Sequence, residues 1–235
     1  MGRAAATELK KAVREAVQDY GWCTLVLSGG RSPAVLYACL AENREGGAVE
    51  WGRVHLFWGD ERCVPGGGPG SNYAMAYKTL ISTVSIPRAN IHAIQADEAS
   101  PERAARHYTR EIRSVFSSIG REQSGGVPAF DIMLLGMGAD GHTASLFPGD
   151  DALLETERWV RAVRAPAGYD QPVRITMTLP VINSARRIFF IVSGRDKTDT
   201  MRQVTGNRDA AAGQFPAARV IPKPGMIWYV FTGDE

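Results

Sequence analysis

The sequence predicts an α/β protein, a three-layer Rossmann-like fold with a mainly parallel central sheet and room for a smaller lobe drawn from the later half. Three observations lead there. Strand-length apolar runs alternate with segments of helical periodicity. The clearest runs end in glycine-bearing loops that carry charged or histidine side chains, which is how open α/β sheets build a site beyond the carboxyl ends of their strands. The chain, 235 residues and 44% hydrophobic, can bury a sizeable core, and residues 1–235 read as one domain or two closely joined lobes.

Ala4–Tyr20 reads as an amphipathic helix with Leu9, Val13 and Val17 on one side. Trp22–Leu27 is a short apolar strand that runs into the polar loop Ser28–Ser32. Pro33–Leu40 follows as a helix, with Ser32 as N-cap and Pro33 at the first helical position. Arg53–Trp58 is the second strand, Gly59–Gly70 its loop, and Asn72–Ser82 a helix capped by Ser71. Asn90–Ile94 is a short extended piece, and Glu98–Ile119 a long helix entered through Ser100 and Pro101. Gly120–Gly126 links that helix to the third clear strand, Phe130–Leu135. Beyond it, Trp159–Val163 and Arg174–Thr178 read as strands, Arg187–Val192 as a strong strand rich in β-branched and aromatic residues, Asp196–Val204 as a helix, and Met226–Phe231 as a terminal strand.

Composition excludes several classes. With 22% charged residues and a formal net charge of +2, nothing marks a nucleic-acid or membrane surface, and the mild positive balance is compatible with an anionic substrate. No apolar run approaches the roughly 20 residues of a membrane span. The N-terminal stretch, with Lys10, Lys11, Arg14 and Glu15, lacks the apolar core of a signal peptide. A cytoplasmic protein, a monomer or weak homodimer, is expected. Cys23, Cys39 and Cys63 are odd in number and without CxxC spacing, which argues against a disulfide framework or a cysteine zinc site. There is no HExxH motif, and the loop Leu27–Pro33 is not the GxGxxG dinucleotide pattern; no metal or organic cofactor is expected.

Three loops can carry chemistry. In the first, Leu27–Pro33, Gly29 and Gly30 permit close backbone approach, and the free N–H groups of the following helix face the loop as an anion site. An ordinary tight β–α turn has the same look. The second loop, Phe57–Asn72, places Asp60, Glu61 and Arg62 just past a strand end, where they can hold sugar hydroxyls or orient a catalytic group, or simply be solvated. The third follows Leu135: glycines 136, 138 and 141 present Asp140 and His142. Of the four histidines, His55 lies in a strand, His107 in a helix and His92 in a piece without chemical context; His142 alone follows a glycine-rich strand-end turn and is the candidate general base. Arg174 and Lys197 in the later half are candidate phosphate donors, though each could equally be a surface charge.

Taken together and in order, LSGGRSP, FWGDERCVP with Ser71–Asn72, LLGMGADGHTASLFPG, RITMTLPVINSA, SGRDK and PAARVIPKPGMIWYV span residues 27 to 231. The chain resembles the 6-phosphogluconolactonases, within the superfamily that includes the glucosamine-6-phosphate deaminases. DGHTASLFP and DERCVP favour the lactonase form; the run GGGPG before Ser71 departs from the acidic residues common there. The resemblance implies hydrolysis of 6-phospho-D-glucono-1,5-lactone to 6-phospho-D-gluconate in the oxidative pentose phosphate pathway, without a cofactor. It implies a phosphate site at Ser28, Gly29, Gly30, Arg31 and Ser32 with Arg174 and Lys197, and a reacting end at Asp60, Glu61, Arg62, Asp140, Gly141 and His142. Either Asp140 or Glu61 could orient His142, and Ser145 is a competing nucleophile, although no GxSxG elbow surrounds it. A deaminase-type isomerase and a non-catalytic sugar-phosphate sensor are the alternatives. The strands at Leu25, Phe57 and Leu134 should end on one side of the sheet and bring their loops together.

Overall fold

Parallel strands need long crossovers over a sheet face, and the helices between the apolar runs supply them. The computed structural model describes residues 2–42, 48–64, 68–96, 99–121, 126–221 and 225–231. The elements are α1 (Gly2–Tyr20), β1 (Cys23–Leu27), α2 (Arg31–Ala41), β2 (Val54–Trp58), β3 (Asp60–Arg62), α3 (Asn72–Thr79), β4 (Ile91–His92), α4 (Pro101–Ser118) and β5 (Ile132–Leu135), then β6 (Val160–Arg164), β7 (Val173–Met177), α5 (Leu179–Ser184), β8 (Arg187–Ser193), α6 (Thr198–Gly206), α7 (Arg208–Ala211) and β9 (Gly225–Phe231). Six strands form a wholly parallel sheet in the order β4-β2-β1-β5-β8-β9. In sequence order within that sheet this is the 3-2-1-4-5-6 arrangement of doubly wound folds, reversing direction between β1 and β5. Right-handed crossovers on either side of that reversal send helices to opposite faces.

Leu27 pairs with Trp58 and Leu135 with Phe190, so the loops beginning at Ser28, Gly59 and Gly136 leave the same carboxyl edge, as expected. Two buried tyrosines finish those strands. Tyr37 Oη accepts from Ser28 N–H (2.9 Å) and donates to Ser28 C=O (2.8 Å). Tyr108 Oη does the same for Trp58, at 2.8 and 3.1 Å. Backbone groups that the ladder no longer serves are thereby satisfied inside the core.

The second sheet corrects the expected loop. Asp60–Arg62 is not loop but a strand, antiparallel to β7, in a three-stranded sheet ordered β3-β7-β6. Gly59 makes the transfer: its N–H reaches Leu27 C=O in the parallel sheet (3.0 Å) and its C=O receives Met177 N–H in the antiparallel one (2.8 Å). The smaller unit expected from the later half is this sheet, with its third strand lent by the earlier half. Other differences are local. Ser32 does not cap α2, which begins at Arg31; its hydroxyl lies 2.5 Å from that of Ser193. Ser71 does cap α3, accepting from Ala74 N–H at 3.1 Å, but that helix ends at Thr79 and gives way to a 3-10 turn. The extended piece expected over Asn90–Ile94 shrinks to Ile91–His92, and α5 is too short to show a period. Glu98, the middle of the Gly120–Gly126 link and glycines 66 and 67 lie outside the described residues. No described helix is long and apolar enough to cross a membrane.

On the buried side of β2 and β4, His55 Nδ1 lies 2.9 Å from His92 Nε2, and His92 Nδ1 lies 2.8 Å from Glu111. Burial, with His92 adding to it, holds His55 down at about 4 against an ordinary 6.5. The unfolded chain therefore takes up this proton first as pH falls. The contribution of neutral His55 is complete above pH 6.5 and is lost toward pH 4. Urea unfolding should show a loss on the order of 1 kcal/mol across that window, after allowance for solvent screening. His55→Phe should flatten the dependence; an equally steep one would assign it to other groups.

Candidate active site

The turn after β5 is built to aim one imidazole. Gly138 N–H bonds to His142 C=O (2.9 Å) and Gly141 N–H to Gly138 C=O (3.0 Å), folding the chain back on itself. A Cβ at Gly138 would sit 2.2 Å from His142 Nδ1 and Cε1, so only glycine lets the ring lie over its own turn. Asp140 Oδ1 accepts from His142 N–H (3.1 Å) and from Nδ1 (2.6 Å). Burial works to raise the Asp140 carboxyl, but the bond and charge of His142 outweigh it and hold the group at about 2. With that carboxylate ionised, Nδ1 is the donor and the neutral ring keeps its lone pair at Nε2. Phe147 packs 4.9 Å from the ring, and Tyr169, from the β6–β7 loop, stands edge-on at 5.5 Å. Asp140, rather than Glu61, therefore orients His142.

Glu61 has other duties. Its carboxylate accepts from the backbone N–H groups of Arg62 (2.8 Å), Asn72 (2.7 Å) and Tyr73 (2.8 Å) and from Ser71 Oγ (2.9 Å), closing the loop onto the N-terminus of α3. Burial pushes its carboxyl up against the pull of those donors. Asp60 takes Ser145 Oγ (2.7 Å) and Asn72 Nδ2 (3.2 Å). Ser145 is fully buried on that carboxylate, so the competing nucleophile is turned into the core. Arg62 donates to Gly70 C=O (2.9 Å) and to Asn72 Oδ1. It pairs across the ladder with Arg174, and the two form one cationic patch.

The loop after β1 is packed equally closely. A Cβ on Gly29 would meet Asn72 Oδ1 at 1.7 Å, so glycine alone allows this loop to touch the start of α3. Ser28 Oγ is buried with no hydrogen-bond partner. Gly30 precedes α2, and its first turn carries Arg31 and Ser32. Half-buried Lys197 stands in the turn after β8; burial lowers its ammonium, Asp196 opposes that, and Arg31 adds to the lowering. The Ser32–Ser193 contact sets the first turn of α2 beside the end of β8, where Lys197 follows. The guanidinium of Arg174 lies 5.6 Å from the ring centres of Phe147 and Tyr169, which also pack on the imidazole. Thr200 Oγ1 ties α6 to Ala139 C=O (2.6 Å), fixing the two ends of the site to each other. A cleft of about 670 Å³ lined by Phe147, Asp150, Arg164 and Pro166 flanks this arrangement, as does one of about 400 Å³ by Arg62, Tyr73 and Tyr77.

Sequence reasoning missed Asn72 as a bridge and Tyr169 altogether. The only signal for Tyr169 was an aromatic residue in the short polar stretch between two expected strands.

The fold is that of an α/β enzyme, with the Asp140–His142 turn beside the topological switch point between β1 and β5. The chain belongs to the family of glucosamine-6-phosphate isomerases/6-phosphogluconolactonase, which matches residues 1–228. It is 38% identical over 216 residues to a 6-phosphogluconolactonase of Synechocystis sp., covering 92% of this chain and 85% of that protein. It is 35% identical over 232 residues to a 6-phosphogluconolactonase of Streptomyces coelicolor, covering 97% and 87%. The fold matches the crystal structure of 6-phosphogluconolactonase from Thermotoga maritima with a TM-score of 0.83 at 28% identity, over 99% of this chain and 95% of that one.

The part played by Glu61 can be measured directly. Glu61→Gln removes a carboxylate that four donors share, and should lower stability by about 2 kcal/mol in urea unfolding at neutral pH. An unchanged midpoint would show that the loop does not depend on it.

Proposed function

We propose that this chain is a carboxylic ester hydrolase that opens 6-phospho-D-glucono-1,5-lactone to 6-phospho-D-gluconate, a step of the oxidative pentose phosphate pathway. The observation that carries the reading is the Asp140–His142 pair at the switch point, on a chain whose relatives over nearly its whole length are 6-phosphogluconolactonases.

Lactone opening needs an activated water, a stabilised oxyanion and a proton for the departing ring oxygen. His142 Nε2 takes the proton as water oxygen bonds to C1, and the carbonyl becomes a tetrahedral oxyanion. When the oxyanion collapses, the bond from C1 to the ring oxygen breaks, and the imidazolium returns the proton to that oxygen. Asp140 stays ionised, keeps the ring oriented and stabilises the imidazolium. Loop N–H groups and the Arg62–Arg174 patch supply positive potential for the oxyanion. Ser145, buried on Asp60, takes no part as a nucleophile.

The phosphate belongs at the α2 terminus, where the N–H groups after Gly30 and the charges of Arg31 and Lys197 meet a dianion. The orphaned hydroxyl of Ser28 fits a role as a further donor there. Arg174 adds positive potential from the β7 side. The enzyme works in the cytoplasm as a monomer or weak homodimer, and the scheme uses no cofactor.

Proton release from freshly generated lactone, corrected for background hydrolysis, tests the activity. His142→Ala should lower kcat by a factor of about 100 to 10,000. Near-normal turnover in a folded His142→Ala protein would contradict the scheme. Lys197→Ala should raise KM by roughly 10- to 100-fold and change kcat little, because the phosphate is bound equally in ground and transition states. Loss of kcat alone would remove Lys197 from the phosphate site. Ammonia release from glucosamine 6-phosphate without lactone opening would place the chain on the isomerase side of its family.

A further inference from the structure

Asp140 has two oxygens, and its own turn serves only one of them. Oδ1 holds His142 N–H and Nδ1, while Oδ2 is held by the hydroxyl of Tyr169 at 2.9 Å. The same hydroxyl lies 3.2 Å from His142 Nδ1, on the same side of the ring as the carboxylate. Tyr169 comes from another part of the molecule, the loop between β6 and β7. That loop is closed by Ala165 N–H on Pro172 C=O (2.7 Å) and by Arg174, whose Nη2 and Nε reach the carbonyls of Asp170 (3.0 Å) and Gln171 (3.2 Å). Gln171 is drawn into a left-handed conformation at φ 56°. A buried guanidinium therefore fixes the loop that fixes the tyrosine. Burial, and the bond to Asp140, push the Tyr169 hydroxyl up to about 12, so it remains a donor at neutral pH.

We propose that Tyr169 is a positioning residue for His142: by clamping Asp140 Oδ2 it keeps Oδ1 on Nδ1–H, so that Nε2 alone faces the attacking water. A carboxylate turns easily about its last torsion. Released at Oδ2, it swings away from Nδ1, water enters, and the neutral ring divides between its two tautomers. Only the tautomer protonated at Nδ1 can act as the base.

The proposal rests on His142 being the base, so its test has one readout that needs no turnover. In Tyr169→Phe the ring and its packing remain and only the hydroxyl is lost. Imidazole 15N shifts, with His142 assigned by difference from His142→Gln, should show a smaller Nδ1–H fraction in Tyr169→Phe. The signals of His55, His92 and His107 should stay in place, which reports an intact fold. With lactone, kcat should fall about ten-fold, the size of one hydrogen bond to a charged group, at unchanged KM. In an Asp140→Asn background, Tyr169→Phe should change kcat by less than about two-fold, because the clamp acts only through that carboxylate. An unchanged tautomer fraction, an unchanged kcat, or an equal loss in the Asp140→Asn background would each overturn the assignment. If wild-type protein opens no lactone, the functional reading fails, while the tautomer fraction still decides whether Tyr169 sets the imidazole.

Discussion

The structure depends on one constraint: β1 must pair in parallel with β2 on one side and β5 on the other. The connections that follow β1 and β5 then leave the same edge and turn to opposite faces, which opens a crevice between them. This pairing sets the start of α2 and the Asp140–His142 turn on neighbouring strand ends from sequence positions far apart. The buried tyrosines at Ser28 and Trp58 hold the strand ends rigid where the loops begin. Glycine then decides how closely the loops approach: Gly29 against Asn72, and Gly138 beneath His142.

Around this crevice the charges are divided by task. Lys197 and Arg31 flank a helix terminus at one end, while an ionised carboxylate and an imidazole occupy the other. Glu61 and Asp60 lie near the chemistry but are committed to holding protein, one to α3 and the other to Ser145 and Asn72. Fully satisfied buried polar networks of this kind rigidify the structure around them. Asp140 differs because one of its partners, His142, still has a nitrogen without a partner among the described residues. The small antiparallel sheet brings further groups to this arrangement. It carries Asp60 and Arg62 on β3, Arg174 on β7, and Tyr169 on the connecting loop.

Much of this was legible in the sequence, and the failures share a cause. The parallel sheet could be read because its strands are continuous apolar runs separated by periodic helices. His142 could be singled out because its glycine-rich turn is local, and Asp140 was near enough to be considered with it. Asp60–Arg62 was read as loop because three polar residues show no strand pattern; they pair only because Gly59 passes them to a sheet whose other strands lie about a hundred residues later. Tyr169 left no local trace of its hydroxyl on Asp140 for the same reason. Ser32 looked like a cap but bonds to Ser193, a partner that only β8 can bring near. Local rules identify groups that act within their own turn, and miss those that act across sheets.

On the proposed function, one ligand should span both ends of the crevice. A crystal structure with bound 6-phosphogluconate tests it most directly. The phosphate should lie on the N–H groups of the first turn of α2 with Lys197, and an oxygen of the C1 carboxylate within about 3 Å of His142 Nε2. A ligand lying the other way round, or bound with its carboxylate out of reach of His142, would contradict it.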